Sequence, residues 1–165
     1  MREVELTNIE GNVIGISEII NAHKGEGKLH RAFSIYIFKD GRNNILIQKR
    51  SVKKMLFAGY IANTCCSHPF PNEDTIEAAE RRLKEECGFK CPLKENGTLI
   101  YKAKDPKGNG VEHEHVTLLI GEYYNEVNPN PDEIEVLEWR RTDDILEDMK
   151  INSDKYAPWF ILGLK

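Results

Sequence analysis

The sequence predicts an α+β fold, a mixed β-sheet flanked by helices, in a single domain spanning residues 1–165. Three observations carry this expectation. At 165 residues the chain is long enough to bury one substantial core and short for two. Apolar segments of strand length recur along it, whereas helical spacing is confined to a few stretches. Strands and helices also follow one another without the regular alternation that builds a parallel sheet.

Taken in order, Arg31–Phe38 alternates, with Phe33, Ile35 and Ile37 toward one face and Ala32, Ser34, Tyr36 and Phe38 toward the other: a strand. Asp40-Gly41 is turn chemistry leading into a second strand, Asn44–Lys49. Lys53–Phe70 shows neither period and is expected to form a long functional loop. Asn72 can cap a helix running to about Cys87, where Gly88 supplies the stop. Its apolar residues Ile76, Ala79, Leu83 and Cys87 fall at i, i+3, i+7 and i+11, with Glu73, Glu77, Arg81 and Lys84 opposite. Glu85 and Glu86 come late in this helix, where a carboxylate gains nothing from the dipole, and so hint at function. Thr98–Lys104 and Val111–Gly121 are strands joined by the turn-rich loop Asp105–Gly110. Glu135–Arg140 is a further short strand, Thr142 caps a helix to about Lys150, and Tyr156–Leu162 is a terminal helix with Pro158 near its start.

Composition removes several function classes. The net charge of -4 argues against broad nucleic-acid binding, while leaving room for a local cationic pocket. The longest apolar runs, around Ala32–Phe38 and Val116–Gly121, are strand-sized and too short to span a membrane. Met1–Gly11 is mixed and charged, unlike a signal peptide, and the expected location is cytoplasmic. The four cysteines, at 65, 66, 87 and 91, form no secreted disulfide pattern. Their C-C and C-x3-C spacings match the C-x2-C pairs of structural zinc sites poorly.

The chemistry gathers in Asn63-Thr64-Cys65-Cys66-Ser67-His68-Pro69 and Glu112-His113-Glu114. On a strand, Glu112 and Glu114 share a face and can converge on one ion, while His113 and His115 look away. A thiol two residues from a histidine adds a tunable acid or base. If Lys104 pairs with Val111, the antiparallel count sets Tyr101 opposite Glu114 on one face; a bulge would send it to the other. Taken singly, a free cysteine is usually packing, Tyr101 and Trp159 would be core, and Lys49, Arg50, Lys53 and Lys54 would be a solvated charge run. The place of Cys66 beside His68 tilts it toward chemistry, whereas Cys65 is expected to point away and Cys87 and Cys91 to pack.

Ser67-x5-Glu73-x7-Arg81-Arg82-Leu83-Lys84-Glu85-Glu86-Cys87-Gly88-Phe89 resembles the Nudix box G-x5-E-x7-R-E-U-x-E-E-x-G-U. Ser67 stands for the leading glycine, and Arg82 for a glutamate that Nudix hydrolases use around their metal. Together with Leu29–Ser34, Asn63–Pro69, Glu112–Glu114 and Pro158-Trp159-Phe160, the pattern resembles type 1 isopentenyl-diphosphate isomerase from about His23 to Phe160. The resemblance implies a Nudix-like fold and a metal site of His23, His30, His68, Glu112 and Glu114, a set that suits Mn²⁺, Mg²⁺ or Zn²⁺. It further implies a catalytic Cys66, a substrate-borne Mg²⁺ at Glu86, an aromatic pair Tyr101 and Trp159, and diphosphate contacts from Arg50, Lys54 and Arg82. Three departures stand out: Ile19 sits near the place of an expected lysine before His23, Ala58 stands where a proline is expected before the loop glycine, and the chain stops soon after Trp159.

The implied reaction protonates an unactivated alkene, passes through tertiary carbocation character and removes a neighbouring proton. The expected acid and base are Cys66 and Glu114, with Glu114, assisted by Tyr101, the favoured donor and the opposite order also consistent with the residues. Trp159 would face the developing cation. The alternatives are a Nudix hydrolase of a small diphosphate, which leaves Cys66 idle, and a non-catalytic metal-binding module, which leaves both the thiol and the basic residues idle. The expected partner is a small-molecule diphosphate, with neither nucleic acid nor membrane span.

Overall fold

Strand β3, His30–Lys39, is the axis of the molecule; the computed structural model describes all of Met1–Lys165. Its run of aromatic and aliphatic residues is buried on both faces, as the two-sided pattern of Arg31–Phe38 requires. Ala32, Tyr36 and Phe38 enter one apolar cluster and Phe33, Ile35 and Ile37 the other. One edge of β3 pairs in parallel with β8 (Val111–Glu122), from His30↔Glu114 to Phe38↔Glu122. Its antiparallel partners are shorter and follow one another along it: β1 (Glu3–Thr7) at His30, β6 (Cys65–Ser67) at Phe33–Ile35, and β4 (Asn44–Arg50) at Ile37–Lys39.

The sheet continues outward through β2 (Val13–Glu18) on β1, β5 (Ile61–Ala62) and β9 (Ile134–Arg141) on β4, and β7 (Lys94–Lys104) on β8. Helix α2, Thr75–Cys87, covers the Phe33 face with Ala78, Ala79 and Leu83. Leu83 is fully buried there, and its truncation to alanine would cost about 2–5 kcal/mol. Helices α3 (Thr142–Ile151) and α4 (Pro158–Leu164) cover the other face with Ile145, Met149, Trp159 and Phe160. The mixed sheet between helices is the α+β architecture expected.

Several boundaries differ from expectation. Asp74, not Asn72, caps α2: its carboxylate accepts from the Ile76 and Glu77 amides at 2.9 and 3.1 Å. Asn72 instead takes a left-handed turn at φ 64°, one of the few residue types that tolerates it. Gly88 does close the helix, at φ 84°. Thr142 lies inside α3, and its hydroxyl donates to the Arg42 carbonyl rather than capping. The Lys53–Phe70 stretch is not all loop, since β5 and β6 lie within it. The segment before His23 forms β1, β2 and the short helix α1 (Ile19–Ala22), none of which the sequence reading identified. Val4 and Leu6 carry the alternation of β1, but two apolar residues among charges make a weak signal.

Candidate active site

Pairing registers, rather than sequence proximity, assemble the site. His30 on β3, Glu114 on β8 and Tyr101 on β7 occupy one rung across three strands. The register across the Asp105–Gly110 loop runs from Lys104↔Val111 to Tyr101↔Glu114, as the residue count anticipated; the hairpin's bulge falls beyond it, between Glu95 and Thr98. Glu112 is two residues before Glu114 and therefore shares its face. Cys66 pairs with Ser34 on the other side of β3, and His68 follows two residues on. His23 comes from the turn after α1, its carbonyl accepting from the Val111 amide at 2.8 Å. Gly110 permits this approach, because a Cβ there would lie 2.9 Å from the His23 carbonyl oxygen.

The five residues His23, His30, His68, Glu112 and Glu114 each offer a ligand atom within 4.8 Å of all the others. His68 Nε2 lies 2.7 Å from Glu114 Oε1 and 3.1 Å from His30 Nε2. His30 Nδ1 lies 2.7 Å from the Lys28 carbonyl, which can only accept, so Nδ1 carries the proton and a neutral ring turns a bare Nε2 inward. His23 Nε2 and Glu112 Oε2 are 3.2 Å apart but not aligned for a hydrogen bond, and both are buried without a partner. Burial pushes His68 down to about 3 despite the opposing pull of Glu114, keeping its imidazole neutral. Burial would raise the Glu114 carboxyl, but the adjoining His68 and His30 rings pull it well below the usual range. Burial would likewise lower His30, but Glu114 in turn raises it, so positive charge is favoured at this spot. Converging lone pairs, orphaned atoms and a mostly hard N/O donor set fit one divalent cation.

The Tyr101 hydroxyl donates to Glu114 Oε2 at 2.7 Å, and burial first, then the nearby carboxylates, raise its pKa well above the usual phenol value. Cys66 donates its thiol to Asn63 Oδ1 at 3.0 Å and lies 3.3 Å from the Ser34 hydroxyl. Burial pushes this thiol up to about 12, against the pull of Ser34, Arg50 and Asn63. It sits on a strand, not in the irregular loop expected for it. Cys65 points the opposite way into the cluster under α2, as do Cys87 and Cys91.

Cys66, Tyr101, Glu112, Glu114, His23 and His68 line one cleft, together with Trp159 and all three expected diphosphate contacts. Those contacts are already engaged. Arg50 donates to the carbonyls of Leu56 and Phe57, and its guanidinium lies 5.2 Å from the Trp159 ring centre. Arg82 pairs with Glu85, Glu86 and Glu133, and Lys54 pairs with Glu86 and Glu133. Glu86 is 1 % exposed, and its Oε2 has no hydrogen-bond partner. Glu133 and Arg2 are cleft residues that the sequence reading missed, since neither lies in a motif. Ile19, near the place of the expected lysine, also lines the cleft.

Comparison with known proteins places the architecture. Residues 28–160 match the NUDIX domain model, and DR0079 from Deinococcus radiodurans superposes with a TM-score of 0.74, covering 94% of this chain and 92% of its own, at 17% identity. The fold is thus a Nudix fold. Within it, the sequence is 38% identical over 156 residues to an isopentenyl-diphosphate Delta-isomerase of Nocardia farcinica, covering 94% of this chain and 89% of the relative. It is 39% identical to an isopentenyl-diphosphate Delta-isomerase 2 of Photorhabdus laumondii, covering 94% and 86%. The chain belongs to the isopentenyl-diphosphate Delta-isomerase family. No helix is long and apolar enough to cross a membrane.

Proposed function

We infer that the protein isomerises isopentenyl diphosphate to dimethylallyl diphosphate by adding a proton to one end of the double-bond system and removing one from the other. The observation that carries this reading is the convergence of a thiol, Cys66, and a buried carboxylate–phenol pair, Glu114 and Tyr101, on one cleft of a family member.

Cys66 and Glu114 are the proposed acid and base. They flank β3 on one sheet face, so a substrate seated between them is addressed from two sides. A reversible reaction uses both orders of proton transfer. Tyr101 steadies Glu114 as its proton affinity changes. Trp159 offers an aromatic face to the cationic intermediate and, with Leu56, screens it from water that would quench it. Arg50, Lys54 and Arg82 hold the diphosphate end.

A divalent ion held by His23, His30, His68, Glu112 and Glu114 would supply fixed positive charge that orients the Glu114 carboxylate and lowers its proton affinity. Mg²⁺ accompanying the diphosphate would meet Glu86, whose Oε2 makes no hydrogen bond and has only the Lys54 ammonium 3.6 Å away, which supports that role. Incubation with isopentenyl diphosphate and Mg²⁺, followed by identification of the product, tests the function: dimethylallyl diphosphate is expected. Release of phosphate instead would sink it in favour of hydrolysis.

A further inference from the structure

We propose that Arg2 is a diphosphate-binding residue, supplying a cleft cation that no carboxylate neutralises. The inference rests on the isomerase reading above. Of the four cleft cations, Lys54 and Arg82 are tied to Glu86 and Glu133, and Arg50 is engaged by two carbonyls and Trp159. Arg2 has no ion-pair partner. Its hydrogen bonds run through a single terminal nitrogen, to the Ser67 hydroxyl at 2.7 Å and the His68 carbonyl at 3.1 Å. Its Nε is buried with no partner at all.

That is an expensive state for a guanidinium. A buried, unsatisfied N–H on a cation is relieved by an anion with several acceptor oxygens, and the planar fork of arginine matches a phosphate group. Arg82 stands near enough that, after burial itself, its charge is the next influence lowering the Arg2 pKa. An incoming diphosphate would relieve that repulsion too, by lying between like charges.

The fold holds Arg2 at this spot. Glu3 pairs with Glu18 on the last rung of β1 and β2, and the Ile19 amide donates to the Arg2 carbonyl at 2.9 Å. Arg2 and Ile19 are therefore neighbours across the ribbon, and both side chains reach the same cleft. A cation at either position starts from the same wall.

The experiment uses Arg2→Ala, Arg2→Gln, Arg2→Lys and the double variant Arg2→Ala with Ile19→Lys. KM and kcat are measured with isopentenyl diphosphate, and the Kd of inorganic diphosphate is measured by calorimetry on metal-loaded protein, with metal content and Tm alongside. Loss of a charge-assisted contact predicts a rise of about tenfold to a hundredfold in KM and in the diphosphate Kd for Arg2→Ala, with kcat within about threefold. Arg2→Lys should restore part of the affinity, and so should Ile19→Lys in the Arg2→Ala background. Arg2→Gln keeps a donor for Ser67 without the charge, and carries the test if Arg2→Ala does not fold. Unchanged KM and Kd would overturn the proposal. So would loss of bound metal or of kcat with Kd intact, because Arg2 would then only brace Ser67 and His68. A wild-type protein that binds inorganic diphosphate through Arg2 yet does not isomerise would uphold the site and refute the isomerase reading instead.

Discussion

Replacing Tyr101 by phenylalanine isolates one hydrogen bond in the proposed proton-transfer machinery. The ring stays, packed 5.8 Å from the Trp159 ring centre, and only the hydroxyl that donates to Glu114 Oε2 at 2.7 Å is lost. Both residues are buried, at 6 % and 7 % exposure, so water does not readily take its place. A hydrogen bond to a charged group is worth about 1.5–3 kcal/mol. If that strength is felt mainly while Glu114 exchanges its proton, kcat falls about tenfold to a hundredfold, since each 1.36 kcal/mol is about one decade. KM should stay within about threefold, because the proposed diphosphate contacts lie elsewhere in the cleft. Initial rates of dimethylallyl diphosphate formation give both constants, and thermal denaturation checks the fold. An unchanged kcat, or a KM that rises in step with the loss, would refute the role assigned to the phenol.

Three further outcomes are expected. Cys66→Ala should abolish isomerisation with little change in Tm, whereas Cys65→Ala should keep turnover and lose about 1 kcal/mol of stability from the core under α2; equal activity losses would reject the assignment. The purified protein should hold about one tightly bound divalent ion in a nitrogen and oxygen shell, and removing it with a chelator should lower Tm; anomalous scattering that placed a cysteine sulfur on the metal would overturn the site. The bidentate pair from Arg81 to Glu73, at 2.8 Å for both contacts, holds the Glu73 carboxyl below the usual 4.5. A folded-state value below the unfolded one adds stability at pH above about 4.5, lost as pH falls through the lowered value. Glu73→Gln should flatten that acid-side slope, and an unaltered pH–Tm profile would show that the pair contributes nothing.

The legible parts of this protein were those that depend on period or on motif. Strand β3 and its two faces, the hairpin that sets Tyr101 against Glu114, and the amphipathic span of α2 all follow from residue spacing. Of the five-residue candidate metal cluster, the Glu112 and Glu114 pair was legible from strand spacing, but the full set only through resemblance, because His23, His30 and His68 come from three separate segments. Only the registers of β3 with β6 and β8 bring His30, His68 and Glu114 within reach of one another. What escaped was set by tertiary pairing. In the β1–β2 ribbon, β1 has only Val4 and Leu6 as apolar residues and Val13, Ile14 and Ile16 of β2 stay exposed, so its order comes from pairing with β3 at Leu6↔His30. Asp74 displaced Asn72 as cap because Glu5 accepts from the Asn72 amide and Arg31 donates to the Glu73 carbonyl, fixing the chain one turn earlier. Neither contact is visible in local sequence. Glu133 is one acid among several in its loop until Arg82 and Lys54 are seen to meet it.

Arg82 marks where the Nudix frame is turned to a different chemistry. In the hydrolase pattern its position carries a glutamate, which would add charge to a metal-gathering helix face. Here a guanidinium binds Glu86 and Glu133 instead, leaving the buried Glu86 Oε2 with no hydrogen bond and only the Lys54 ammonium 3.6 Å away. The candidate metal ligands gather around the sheet instead, at the rung of His30, Glu114 and Tyr101. That relocation matters for what the cleft must keep out. A hydrolase needs water at the diphosphate, whereas an alkene isomerase needs none at the hydrocarbon. Donors from helix α2 and the segments around Arg2 and Lys54 suit the charged end. Trp159, Leu56 and the thiol of Cys66 suit the apolar end, with Arg50 lying over Trp159 where the two meet. On this reading the fold separates binding from chemistry by gathering the cations around Arg82 at one end of the cleft and setting Cys66, Tyr101 and Glu114 on the sheet at the other.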